Sequence, residues 1–214
     1  IFNNNYSNIP NFSMLENRDY TLIIDKSGSM STKDTPGGSS RWQIMQESAL
    51  ALASKCEELD PDGITFYLFS GKFKRYDHVT AAKVGTIFQE NDPSGRTDLA
   101  GVLADALGNY FQRKAKGQTP ANGEIILVVT DGEPDDRKAV MQVILEATQK
   151  LDRDEELAIS FIQVGTDAAA TAFLKILDDD LGRAGAKFDI VDTITMNDME
   201  DLTLKEVLLS AISD

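Results

Sequence analysis

The chain has 214 residues, 42% hydrophobic and 26% charged, which suits one domain with a sizeable core and is tight for two. Its net charge of −14, from 21 basic and 35 acidic residues, argues against a nucleic-acid partner or an anionic membrane surface, because both demand a basic face. One cysteine, Cys56, and one histidine, His78, exclude an internal disulfide framework, a Cys-based zinc site and multi-His metal centres. From Asp152 onward 15 acidic residues stand against 5 basic ones, so most of the negative excess lies in the last third. No apolar run reaches membrane-spanning length, and the expectation is a soluble chain in reducing, cytoplasmic surroundings.

Residues 1–16, rich in Asn and Ser, lack the basic start and apolar stretch of a signal peptide and are expected to form an arm; residues 17–214 are expected to form a single domain. The run Tyr20 to Asp25 (YTLIID) predicts a strand buried on both faces. Ser40 with Gln43 three residues later makes a capping-box pattern, and Trp42, Met45, Ala49, Leu52, Cys56 and Leu59 fall on one helical stripe. After a Pro61-Asp62-Gly63 turn, ITFYLF (Ile64 to Phe69) predicts a second strand. SGKFKRYDHVT then predicts a turn and an exposed edge strand guarded by Lys72, Lys74 and Arg75.

A short helix from Ala81 to about Glu90 and an amphipathic helix marked by Leu99, Val102, Leu103, Ala106, Leu107 and Tyr110 follow. EIILVVT (Glu124 to Thr130) predicts a fully buried strand, and Pro134 is expected in the first turn of a helix that buries Val140, Val143, Ile144 and Ala147. LAISFIQVG predicts a strand, Ala168 to Leu177 a helix and KFDIV a last short strand, before a closing helix with Leu202, Leu204, Val207, Leu208 and Ile212. Strands alternating with helices imply a Rossmann-like, doubly wound α/β domain: a mostly parallel six-stranded sheet, one antiparallel edge strand, and helices on both faces.

Three segments carry candidate chemistry: Asp25-Lys26-Ser27-Gly28-Ser29 after the first strand, Gly95-Arg96-Thr97-Asp98 at a helix entry, and Thr130-Asp131-Gly132-Glu133 after EIILVVT. They lie 72 and 34 residues apart, counted between Asp25, Thr97 and Asp131, so only a fold can unite them. In a doubly wound sheet the first and fourth strands are neighbours, and their carboxyl ends flank the ligand crevice. Two carboxylates and three hydroxyls make a hard, oxygen-only donor set suited to Mg²⁺; Mn²⁺ fits the same donors, and Ca²⁺ usually takes more oxygens.

The pattern Asp25, Ser27 and Ser29, then Thr97, then Asp131, set in DKSGSM, GRTDL and VVTDGEPDD, resembles the von Willebrand factor type A domain with its metal-ion-dependent adhesion site. The resemblance spans roughly residues 19 to 213 without departure at those five positions. It implies a non-catalytic protein-binding module whose divalent cation is held by Asp25, Ser27, Ser29, Thr97 and Asp131 and completed by an Asp or Glu of another protein. It further implies kinship with intracellular bacterial members found in stress-response and tellurite-resistance systems. Neutral hydroxyl donors leave such a cation under-neutralised and open to an outside carboxylate.

Each segment also has a purely structural reading: Asp and Ser cap turns, Thr97 or Asp98 caps a helix, and Asp131-Gly132 is a common turn pair. His78 beside Asp77 reads as a surface residue, Cys56 and Trp42 as packing, and Asp178-Asp179-Asp180 as a solvated helix end. Asp135 and Asp136 lie near the proposed site but read as acids favoured at a helix start, while Lys26 and Arg96 lie close enough to tune the metal or meet an acidic partner. Two other functions compete. A magnesium-dependent phosphatase of the haloacid dehalogenase type needs a second Asp where this chain has Ser27, and a scaffold subunit would carry only a vestigial metal site.

Overall fold

Asp19–Asp25 (β1) and Glu124–Thr130 (β4) run side by side and parallel at the centre of the sheet, their backbones paired from Asp19↔Glu124 to Ile24↔Val129. The computed structural model describes residues 12–213. Around this pair lie Ile64–Phe69 (β2), Phe73–Val79 (β3), Leu157–Gln163 (β5) and Val191–Thr195 (β6), in the order β3-β2-β1-β4-β5-β6. All neighbours are parallel except β2 with β3, which makes β3 the antiparallel edge expected from its charges. This is the doubly wound, Rossmann-like class that the alternating pattern predicts.

Strand periodicity divides the core. Leu22, Ile24, Leu127 and Val129 face one layer with Phe66, while Ile23, Ile126 and Val128 face the other with Tyr67. The first layer is closed by Arg41–Leu59 (α1), Ala81–Gln89 (α2) and Leu204–Ser210 (α7), and the second by Leu99–Ala115 (α3), Arg137–Gln149 (α4) and Ala168–Asp179 (α5). Because both faces are covered, β1 and β4 read as uninterrupted apolar runs instead of alternating ones.

The capping box opens α1 as its sequence predicts: Gln43 N donates to Ser40 Oγ (3.2 Å) and Ser40 N to Gln43 Oε1 (2.9 Å). Trp42 packs edge-to-face on Phe88 at 5.7 Å, and Cys56 is buried in the same layer. Of the expected stripe, Leu59 is only half-buried. Ahead of β1, Leu15 is fully buried, and the Asn122 amide donates to Ser13 O and Glu16 O. The part of the expected arm before residue 12 lies outside the described residues.

Four local expectations are corrected. The last strand is Val191–Thr195, shifted beyond KFDIV; Phe188 and Ile190 supply apolar packing, whereas the strand itself is an edge with half-exposed threonines. Asp178 is no solvated helix end, because it accepts from Thr193 N (2.9 Å) and Thr193 Oγ1 (2.5 Å) and ties α5 to β6. Pro134 precedes α4, whose N-cap is Asp136, with Ala139 N donating to Asp136 Oδ1 at 3.0 Å. The closing helix is two pieces, Met196–Met199 (α6) and α7, each opened by its own capping box, Thr195 with Asp198 and Thr203 with Glu206, with Leu202 exposed between them.

Leu127 is fully buried in the central strand that carries the third candidate segment. Leu127→Ala is expected to cost about 2–5 kcal/mol of unfolding free energy, the usual result of truncating a packed core leucine. Urea unfolding of the two proteins measures it.

Candidate metal centre

Because β1 and β4 are adjacent and parallel, Asp25 at the end of one and Asp131 just past the end of the other leave the sheet at the same edge. Asp25 is fully buried; Ser27 N donates to its Oδ1 at 2.7 Å and Thr130 Oγ1 to its Oδ2 at 2.8 Å. The Ser27 and Ser29 hydroxyls lie 3.0 Å apart at the start of the short turn Gly28–Ser31, which Ser27 precedes and the fully buried Met30 anchors to the core. Ser27 is buried and Ser29 exposed, so the serine pair runs from the interior to the surface.

Backbone bonds join all three segments. Ser94 N donates to Lys26 O (2.7 Å) and Gly28 N to Gly95 O (3.0 Å), locking the first to the second. Asp135 N donates to Thr97 O (2.9 Å) and Thr97 N to Asp135 Oδ1 (3.2 Å), locking the second to the third. The structure therefore brings the segments of Asp25, Ser27, Ser29, Thr97 and Asp131 together at one edge of the sheet, with Thr97 buried immediately before the α3 N-cap Asp98.

Two buried carboxylates close together are costly without a cation. Burial, and next the Asp131 carboxylate, push Asp25 up to about pKa 6, against the hydrogen bonds from Ser27 and Thr130. Asp131 Oδ2 accepts from Arg41 Nη1 at 3.2 Å, whereas its Oδ1 is buried with no hydrogen-bond partner. An orphaned, buried carboxylate oxygen beside a second buried carboxylate is what a hard divalent ion satisfies, so the residues fit such a group. Among the described residues no cluster of three or more His, Cys, Asp and Glu side chains could hold a metal. The grouping at this sheet edge is two carboxylates with hydroxyls beside them.

At the rim, the Lys26 ammonium lies 3.4 Å from Ser94 Oγ, and the well-exposed Arg96 pairs with Asp135 at 3.2 Å. His78 is at the far end of the sheet from this crevice, on β3, exposed and with its Nδ1 3.1 Å from Asp62 O.

Residues 19–197 match the family model described as von Willebrand factor type A domain. The chain belongs to that family. The D319A mutant of the PilB minor pilin from Streptococcus sanguinis has the same fold, with a TM-score of 0.60 and 16% identity, over 93% of this chain and 60% of the pilin chain. Manganese-loaded TRAP protein of Plasmodium vivax is also similar in fold, with a TM-score of 0.56 and 14% identity, over 91% of this chain and 72% of that one. No curated protein sequence matches.

Sequence reasoning missed Arg41 and Asp34 at the site of this type A domain, and named Thr130 within the third segment without giving it a role. One signal for Arg41 was legible: a cation in the first turn of a helix opposes the helix dipole, so it needs a local anion. Thr130 gave none, because a threonine ending a strand is ordinary there. Asp135 is corrected from a helix-start acid to the residue that joins the Thr97 segment to the Asp131 segment.

Gly132, next to Asp131, has φ +87°, and a Cβ there would sit 3.0 Å from Ala170 Cβ and 3.1 Å from Leu174 Cδ1. Gly132→Ala is expected to lower stability by about 1–3 kcal/mol through left-handed strain and overpacking. In an Ala170→Gly background the same substitution should cost less in chemical denaturation, because the Ala170 contact is gone while the Leu174 contact and the backbone strain remain.

Proposed function

We propose that this domain binds a divalent cation through Asp25, Ser27, Ser29, Thr97 and Asp131 and uses it to capture an Asp or Glu side chain of another protein. The observation that carries this reading is the buried, unpartnered Oδ1 of Asp131 in a crevice shared with the buried Asp25. Family membership supports the same reading, and the manganese-loaded TRAP protein, alike in fold, supports a divalent ion. Mg²⁺ is the first choice for so few carboxylates, with Mn²⁺ accepted by the same oxygens.

Asp25 and Asp131 would supply the negative charge, and Ser27, Ser29 and Thr97 the neutral oxygens. When bound, the cation supplies a Lewis-acidic position for an external carboxylate oxygen. Exposed Ser29 marks the solvent side of the donor set. Arg96 and Lys26 on the rim favour an acidic approaching surface over a basic one. No bond is broken in this role: Ser27 stands where a phosphatase of the haloacid dehalogenase type needs its second Asp, and a serine without a base cannot serve as acid and base. The proposed setting is cytoplasmic, in a stress-response or tellurite-resistance system, and rests on the motif resemblance.

Calorimetric titration of Mg²⁺ or Mn²⁺ into chelator-treated protein is expected to give a single site. Asp25→Ala, Thr97→Ala and Asp131→Ala should each weaken it by at least the roughly 10–100-fold that loss of an outer-sphere partner costs. Unchanged affinity in all three would overturn the site assignment. In affinity capture with the intact protein, the expected partner elutes on adding chelator and returns with added Mg²⁺. A partner retained equally in chelator would mean that recognition does not pass through the cation.

A further inference from the structure

Arg41, the first residue of α1, is buried against the crevice and has two carboxylates on one guanidinium. Its Nε and Nη2 grip Asp34 Oδ1 and Oδ2 at 3.0 and 2.6 Å, and its Nη1 reaches Asp131 Oδ2 at 3.2 Å. The wedge is tight, because a Cβ on Gly165, which has φ +80°, would lie 2.5 Å from Arg41 Nε. The fork therefore lies closer to Gly165 than any residue with a Cβ would permit, and its bonds divide Asp131 into one oxygen held by the protein and one left for something else.

We infer that Arg41 is the positioning residue and resident counter-charge of this site: it turns Asp131 into a single-oxygen donor and lowers the negative charge that a divalent ion meets. The inference rests on the cation-site reading above and deepens it. A fixed positive charge beside the donors weakens cation binding by Coulomb repulsion. It also compensates one of two buried carboxylates when cation is scarce, so the crevice keeps its shape without saturating metal. A domain built this way exchanges its ion and leaves it electron-poor toward a partner's carboxylate, instead of quenching it with the protein's own charge. Asp34 sets the strength of the effect, since it draws part of the guanidinium's charge toward the surface loop.

The two residues thus have opposite signs, which a merely structural role would not produce. Mn²⁺ titrated into chelator-treated protein should bind Arg41→Gln about tenfold more tightly than wild type, and Asp34→Asn about threefold more weakly. In thermal melts with chelator, Arg41→Gln should fall well below wild type, and saturating Mn²⁺ should close most of that gap. Equal melting deficits with and without Mn²⁺, or unchanged or weaker Mn²⁺ affinity in Arg41→Gln, would overturn the inference. Should Arg41→Gln fail to fold, Asp34→Asn on its exposed loop decides it: unchanged or tighter binding counts against, weaker binding in favour. A wild type that binds no Mn²⁺ brings down the site reading and this inference together. Wild-type binding lost in Asp25→Ala, with Arg41→Gln unaltered, overturns the inference alone.

Discussion

Asp25 and Asp131 are negatively charged groups held almost without solvent at the ends of two adjacent parallel strands. Water cannot offset their charge: burial first, and the neighbouring Asp131 carboxylate second, raise Asp25 above the ordinary carboxylate range. Everything around the crevice answers to that constraint: the amide of Ser27 and the hydroxyl of Thr130 on one carboxylate, the guanidinium of Arg41 on the other, and one oxygen still unanswered. That unanswered oxygen is the feature on which the proposed cation site rests.

The rest of the domain makes the pair rigid. Both faces of the sheet are covered by separate apolar layers, so β1 and β4 cannot slip without moving a packed side chain. Above the sheet edge, four backbone or side-chain bonds join the Lys26–Gly28, Ser94–Thr97 and Asp135 segments into one surface. Met30 extends the hydrophobic layer directly beneath the serine pair. The candidate residues thus sit on loops tied to one another by hydrogen bonds, the kind of support a precise site needs.

Where the elements are long and strongly patterned, the sequence was legible. ITFYLF and EIILVVT coincide with β2 and β4, and the Ser40–Gln43 box marks the true start of α1. Legibility failed at weak edges and ends. The half-exposed VDTIT of β6 carries less apolar signal than the KFDIV beside it, because an edge strand is packed on fewer sides. The break between α6 and α7 hid behind a continuous scatter of leucines, since two capping boxes outweigh helical periodicity over so short a span.

By itself the sequence determined the class of fold and where three polar segments stand relative to it, because buried parallel strands leave continuous apolar runs and those segments follow the strands or open a helix. It could not determine which oxygen of Asp131 is free, nor that Arg41 and Asp34 reach the crevice. Those facts arise from contacts between residues far apart in the chain, such as the 90-residue separation of Arg41 and Asp131. Only the packing of α1 against β1 and β2, which leaves Arg41 beside Asp131 and Gly165, brings that guanidinium to its carboxylate, and no local pattern encodes a distance that the sheet sets.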